Sequence, residues 1–172
     1  IVAQFQDITD RKAAEAELAR LAVTDALTGL LNRQAFLDAG EAHRGASSPA
    51  AGVGIVFIDL DDFKRVNDQC GHACGDAVLV QIARRIKTAV AEPDSVYRIG
   101  GDEFVVVTSD AAAISELAGR VRHALSGNYE AGGVPVQLSA SAGSACGSSD
   151  QIEALLRSAD ANMYAYKARD EG

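Results

Sequence analysis

Tyr97-Arg98-Ile99-Gly100-Gly101-Asp102-Glu103-Phe104-Val105-Val106-Val107 is the stretch that decides how this chain is laid out. Apolar residues flank a Gly-Gly pair, where the backbone can take φ > 0 at no steric cost, so the stretch predicts a β-hairpin. Asp102 and Glu103 follow Gly100 and Gly101 at its tip and precede a β-branched run suited to burial. Glycine lets a ligand approach the backbone closely, and paired carboxylates there suit a hard cation or a phosphate-bound cation. A solvated acidic turn is the competing reading. The hairpin therefore needs a partner elsewhere in the chain.

Val53-Gly-Ile55-Val56-Phe57-Ile58 supplies one. This short, continuously apolar run predicts a central strand covered on both faces. It ends in Asp59-Leu60-Asp61-Asp62-Phe63-Lys64. Carboxylates near a buried strand end are costly unless paired or bound to metal, and a divalent cation relieves their mutual repulsion. Asp59 is held by its strand, and Leu60 can offer its backbone carbonyl; magnesium takes such oxygens and fills its remaining positions with water and substrate phosphates. For Asp61 and Asp62 a helix N-cap role stands beside the metal role.

Outward from these two stretches, Asp25 to Arg33 breaks a first helix and starts another that runs to about Ala42. Gly45 to Gly52 is loop-forming. Asp76 to about Ala91 is an amphipathic helix with Val78, Leu79, Ile82, Ile86 and Val90 on one side. Strands follow at Asp94–Ile99, Phe104–Thr108 and Val134–Ala142, with helices at Ala111–Leu125 and Asp150–Ala168. This succession predicts an α+β fold: a ferredoxin-like antiparallel sheet flanked by helices.

The net charge of −8 removes the basic face that a nucleic-acid backbone binder needs. No apolar run reaches membrane-spanning length and no signal peptide is visible. Three cysteines, an odd number without scaffold spacing, fit a reducing cytoplasm. Cys70-Gly-His72-Ala-Cys74 has metal-ligand residue types, but nothing arranges a fourth ligand, so no zinc site is expected.

Residues 1–24 read as an appendage. Ile1 to Ile8 looks like the end of a strand, Thr9 or Asp10 can cap a helix over Arg11–Val23, and Ala14, Leu18 and Leu21 form a narrow stripe able to pair with a second copy. The Asp7-Ile8-Thr9-Asp10-Arg11 stretch resembles the exit from a PAS sensor domain.

From Asp25 to the last residue, the chain resembles the GGDEF family, the diguanylate cyclases. Arg98-Ile99-Gly100-Gly101-Asp102-Glu103-Phe104 carries the signature, Asp25 to Arg33 the opening motif, Asp59 to Asp76 the metal and guanine segment, and Ala159 to Lys167 the closing helix. The resemblance implies a palm-like nucleotidyl cyclase that condenses two GTP into cyclic di-GMP. It implies magnesium, or manganese, held by Asp59, Asp102, Glu103 and the Leu60 carbonyl. Glu103 serves either a second cation or activation of the 3′-hydroxyl. Lys64 and the backbone near Asp62 and Phe63 would hold the triphosphate, with Gly100 and Gly101 beside the substrate. Asn67 and Asp76 would read guanine, Asp76 also being placed to cap its helix. Lys167 or Arg169 would be the closing phosphate contact, since position 171 is Glu where the family usually has arginine. Ala91 replaces the arginine of the family's product-inhibition motif while Asp94 remains. Each domain positions one GTP, so catalysis implies a homodimer, through the N-terminal helix or facing sites. A bacterial cytoplasm is the expected setting.

Overall fold

The computed structural model describes residues 11, 22–44 and 52–170 of the chain. The expected strand over Ile1–Ile8 and nearly all of the first helix lie outside the described residues. The elements in order are β1 (Leu31–Asn32), α1 (Arg33–Arg44), β2 (Gly52–Leu60), α2 (Phe63–Cys70), α3 (His72–Ala89), β3 (Ser95–Arg98) and β4 (Glu103–Thr108). A 3₁₀ turn (Ala111–Ala113) then leads into α4 (Ile114–Leu125), β5 (Gly127–Ala131), β6 (Val134–Leu138) and β7 (Ala140–Ser148), and a second (Ser149–Gln151) into α5 (Ile152–Asp170).

β2 lies inside a five-stranded sheet of order β1-β3-β4-β2-β7. Its alternation explains its composition. Val56 and Ile58 belong to one core, with Val78, Ile82 and Ile86 of α3 and Leu117 and Val121 of α4. Ile55 and Phe57 belong to another, with Phe36 of α1 and Leu155, Ala159 and Met163 of α5. A strand buried on both faces has no polar position to spare until it emerges, which is why the acids begin at Asp59. Gly143 of β7 has no room for a side chain: a Cβ there would collide with backbone atoms of Ala159 and Met163. α5 thus lies directly on the sheet, and its last turns reach the strand ends where Asp59 stands.

The α+β architecture is as expected, with several corrections. The sheet is mixed, because β1 pairs parallel with β3; a two-residue strand has no alternation for a sequence to display. Val134–Ala142 is two strands in two sheets, broken at Ser139. The first of them pairs with β5, which sequence patterning missed, through a turn with positive φ at both Gly132 and Gly133. Phe63 and Lys64 open a helix, α2, and α3 starts at His72, not Asp76. Gly71, at φ 83°, separates the two helices.

The acidic hairpin forms between β3 and β4, but neither Gly100 nor Gly101 takes a positive φ. Gly100 is needed for space instead, since a Cβ would strike the Glu103 carboxylate.

Candidate active site

Register brings the two acidic stretches together. β2 and β4 pair antiparallel with Asp59 opposite Glu103, and the Leu60 amide donates to the Asp102 carbonyl at 3.3 Å. Residues opposite one another in a ladder share a face, and like charges there repel. Burial pushes the Asp102 carboxyl above its usual range, and Asp59 pushes it further. Glu103 is raised by burial and then by Asp102, Asp59 and Asp160, against the opposing pull of Arg33.

Lys167 enters this cluster from α5. Its ammonium lies 2.9 Å from Asp59 Oδ1 and 3.2 Å from Asp61 Oδ1. Burial pulls the lysine pKa down, but the hydrogen bonds to Asp59 and Asp61 outweigh it and the pKa is raised. Arg169 is in the same helix, its side chain outside the described residues. Among the described residues no three Asp, Glu, His or Cys side chains close into a ready-made metal cage.

Neither Asp61 nor Asp62 caps α2 through its side chain. Asp62 occupies the cap position in the left-handed region, at φ 54°, without a side-chain bond. Asp61 instead accepts from the Ser139 and Ser141 hydroxyls at 2.7 and 2.8 Å.

Beside the hairpin is a cavity of about 400 Å³ lined by Phe63, Lys64, Asn67, Asp76, Arg98, Gly101 and Asp102, with Asp68, His72 and Leu79 completing it. Asn67 comes from α2 and Asp76 from α3. Gly75 draws them side by side: a Cβ on it would overlap Asn67 Oδ1 and crowd the Phe63 ring. Asp76 is the fifth residue of α3 and exposed, so it does not cap that helix. Its carboxylate opens onto the cavity rather than being buried.

The family model for the diguanylate cyclase GGDEF domain matches residues 22–172. This chain belongs to that family. It is 35% identical to the Cyclic di-GMP phosphodiesterase PdeB of Shewanella oneidensis, over 98% of this chain and 20% of that protein. A sensory box/GGDEF family protein from Caulobacter crescentus superposes with a TM-score of 0.71 at 38% identity, covering 87% of this chain and 99% of the other. The coiled coil and GGDEF domain of DgcB from the same organism, in complex with c-di-GMP, gives a TM-score of 0.78 at 26% identity, covering 94% and 89%. The chain spans 22%, 20% and 26% of the length of three curated relatives that it matches.

Within this GGDEF domain, Arg98 and Asp25 have a role that the sequence did not disclose. The Arg98 guanidinium binds both Asp25 oxygens at 3.0 and 3.2 Å and the Gly101 carbonyl at 3.2 and 2.7 Å. Asp25 also accepts from the amide and hydroxyl of Thr28, at 2.8 and 2.6 Å. The Asp-x-x-Thr spacing was the visible signal; the arginine, 73 residues away, was not. Burial raises the Asp25 carboxyl, but its bonds with Thr28 and Arg98 win and hold it below the usual range. Its contribution to stability is present above the ordinary value of 3.8 and lost as pH falls through the lowered one. Asp25→Asn is expected to cost about 1–3 kcal/mol, because it leaves a largely buried guanidinium underpaired. Chemical denaturation of the two proteins checks this.

A second correction concerns cysteine. Cys70 and Cys74 form a disulfide across the α2–α3 break. Four residues apart, with a left-handed glycine between them, the two Cα atoms are brought to 5.7 Å. Only Cys146 is a free thiol among the described residues.

Proposed function

We propose that this chain is the catalytic half-site of a diguanylate cyclase, joining two GTP molecules into cyclic di-GMP with release of two pyrophosphates. The observation that carries the reading is the meeting of Asp59, Asp102 and Glu103 beside a cavity that also holds Asn67, Asp76 and Lys64. Guanine offers N1–H and an exocyclic amine, a donor pair matched to the Asp76 carboxylate, with Asn67 satisfying the remaining edge. Adenine lacks that pair and would leave the acid unanswered. Lys64 and the backbone at Asp62 and Phe63 hold the triphosphate together with Lys167, and Gly100 and Gly101 keep the hairpin tip open for its approach.

The donor set fits a hard divalent cation, magnesium or manganese. Asp59, Asp102 and Glu103 offer oxygens, and two of the three carboxyls are raised by burial first and by their neighbours' charge after it. The Leu60 carbonyl lies on the strand edge that faces the hairpin, since its own amide bonds Asp102. Such a cation neutralises charge developing on the transferred phosphoryl group. Glu103 would either hold a second cation or take the proton of the attacking 3′-hydroxyl. Asp59 and Asp102 keep that group aligned, and Lys167 meets the departing pyrophosphate.

One domain aligns one nucleotide, so bond formation requires two domains face to face. We assign the partner as a second copy, brought in by facing sites or by the helix that the sequence leads us to expect within residues 1–24, a segment we read as the exit of a PAS-like sensor feeding residues 25–172. Among the described residues no helix is long and apolar enough to cross a membrane. A bacterial cytoplasm remains our assigned setting on the bacterial sources of the named relatives alone, since the Cys70–Cys74 disulfide removes the argument from unpaired cysteines. The chain incubated with GTP and magnesium is expected to yield cyclic di-GMP, with activity per molecule rising with protein concentration. Chromatography of the product decides. No product, with GTP bound intact, would favour the second reading: a regulatory module that only binds nucleotide.

Ala91 and Asp94 line a separate cavity of about 520 Å³ with Lys87 and Gly29. Lys87 reaches the Gly29 carbonyl at 3.3 Å. Lacking the guanidinium, this cavity is expected to hold cyclic di-GMP poorly. Asp102→Ala, titrated with product at micromolar concentration, should show no binding; tight binding would contradict the assignment.

A further inference from the structure

Asp61 is left without a part in the scheme above, although its carboxylate is among the most fully engaged in the molecule. Ser139 Oγ donates to one oxygen at 2.7 Å and Ser141 Oγ to the other at 2.8 Å. The Asp61 amide donates to the Ser139 carbonyl at 3.0 Å. These bonds fasten the loop after β2 to the joint between β6 and β7. Turning the carboxylate toward a cation would break hydroxyl bonds on both oxygens, so Asp61 acts as a fixed anion rather than a mobile ligand.

What it holds is Lys167. The ammonium touches Asp59 Oδ1 at 2.9 Å and Asp61 Oδ1 at 3.2 Å. Tyr164, Ala165 and Ala168 are exposed, and Tyr166 packs under the Arg122 guanidinium rather than on the lysine, so the end of α5 does little to steer a long, flexible stem. Asp59 would be an impermanent counter-ion, because a cation held at the strand end would claim the same oxygens. An ammonium tethered only to Asp59 would swing into solvent at the moment a nucleotide needs it. An ammonium has three donors. With one kept on Asp61 by a carboxylate held on both oxygens, the other two are left for Asp59 or for a substrate oxygen that replaces it.

We propose that Asp61, clamped by Ser139 and Ser141, is the positioning residue that keeps Lys167 directed at the triphosphate once Asp59 is engaged. The inference rests on the cyclase reading, specifically on Lys167 meeting phosphate. It predicts an effect confined to the phosphate half of the nucleotide, with guanine recognition by Asn67 and Asp76 untouched.

The test is competitive binding to the whole chain, with magnesium present, of a non-hydrolysable GTP analogue, inorganic pyrophosphate and guanosine. Asp61→Asn should weaken the analogue and pyrophosphate about tenfold, the scale of a lost charge-assisted contact, and leave guanosine unchanged. Ser139→Ala with Ser141→Ala, which keeps every charge, should move the same two ligands in the same direction by less. Lys167→Ala should weaken both ligands, and adding Asp61→Asn to it should cost nothing more, because the aspartate acts through the lysine. If Lys167→Ala loses pyrophosphate while Asp61→Asn does not, this inference falls and the cyclase reading stands. Equal loss of guanosine, or full additivity with Lys167→Ala, also overturns it, by marking Asp61 as structural or as a ligand in its own right. Unchanged pyrophosphate affinity in Lys167→Ala would remove the phosphate role of that lysine, and this inference with it.

Discussion

Asp102→Asn is expected to reduce cyclic di-GMP formation by about a hundred- to a thousandfold, the scale of losing one preorganised electrostatic contact to a transition state. The same change is expected to leave the metal-free protein as stable as before, or more so. Asp102 is half-buried beside Asp59, and both burial and that neighbour make its charge unfavourable. Asparagine keeps the shape and drops the charge, so the folded chain loses a repulsion while substrate loses an oxygen ligand. The hairpin does not depend on that carboxylate: Ile99 and Gly100 donate to the Glu103 carbonyl, and Arg98 grips the Gly101 carbonyl. Product chromatography and metal-free thermal melts of the two proteins decide the matter. A loss of both activity and several degrees of melting temperature would mean that Asp102 is a structural residue, and the site assignment would fail. Strain concentrated in a group that the fold does not need is the pattern of a functional position.

Much of this site was legible in the sequence for one reason. A strand buried on both faces tolerates acids only where it emerges, so the abrupt change from Ile58 to Asp59 marked, to within two residues, where β2 ends and where its carboxylates gather. The hairpin acids were found by the same contrast. Two kinds of fact could not be read. Long-range pairings such as Arg98 with Asp25, or Asp61 with Ser139 and Ser141, leave no local pattern, because the partners are brought together only by the sheet. Small deviations of backbone were the other. The Gly100-Gly101 pair invited a positive-φ turn, yet the structure uses Gly100 for clearance of Glu103, while the positive-φ pair is Gly132-Gly133. Asp76 looked like a helix cap because helical periodicity begins near it. Gly71 moved that start four residues earlier and freed the carboxylate for the cavity.

Magnesium should raise the melting temperature of this chain at neutral pH, and the rise should vanish as the solution is acidified toward the ordinary carboxylate range. Asp102 and Glu103 both have folded-state pKa values above 3.8 and 4.5, the values for these groups in an unfolded chain. A group whose pKa is raised by folding binds its proton more tightly in the native state. Its stabilising contribution is complete below the unfolded value and lost as pH climbs through the folded one. Above that window the acids are ionised against Asp59 and one another, which is the state that a divalent cation binds. At a hundredfold excess over its dissociation constant, a cation adds about 2.7 kcal/mol. For a chain of this size that is an upward shift of about 5–10 °C. Asp25 works in the opposite sense, since its lowered pKa makes its contribution disappear with acid. The quantity to follow is therefore the difference between melts with and without magnesium at each pH, from which Asp25 cancels. Asp102→Asn and Glu103→Gln should each shrink that difference. Lys167→Ala should enlarge it, because the ammonium 2.9 Å from Asp59 is the cation's competitor for the same oxygen. A magnesium shift that is flat from pH 4 to 8, or indifferent to all three substitutions, would place the cation elsewhere on the molecule.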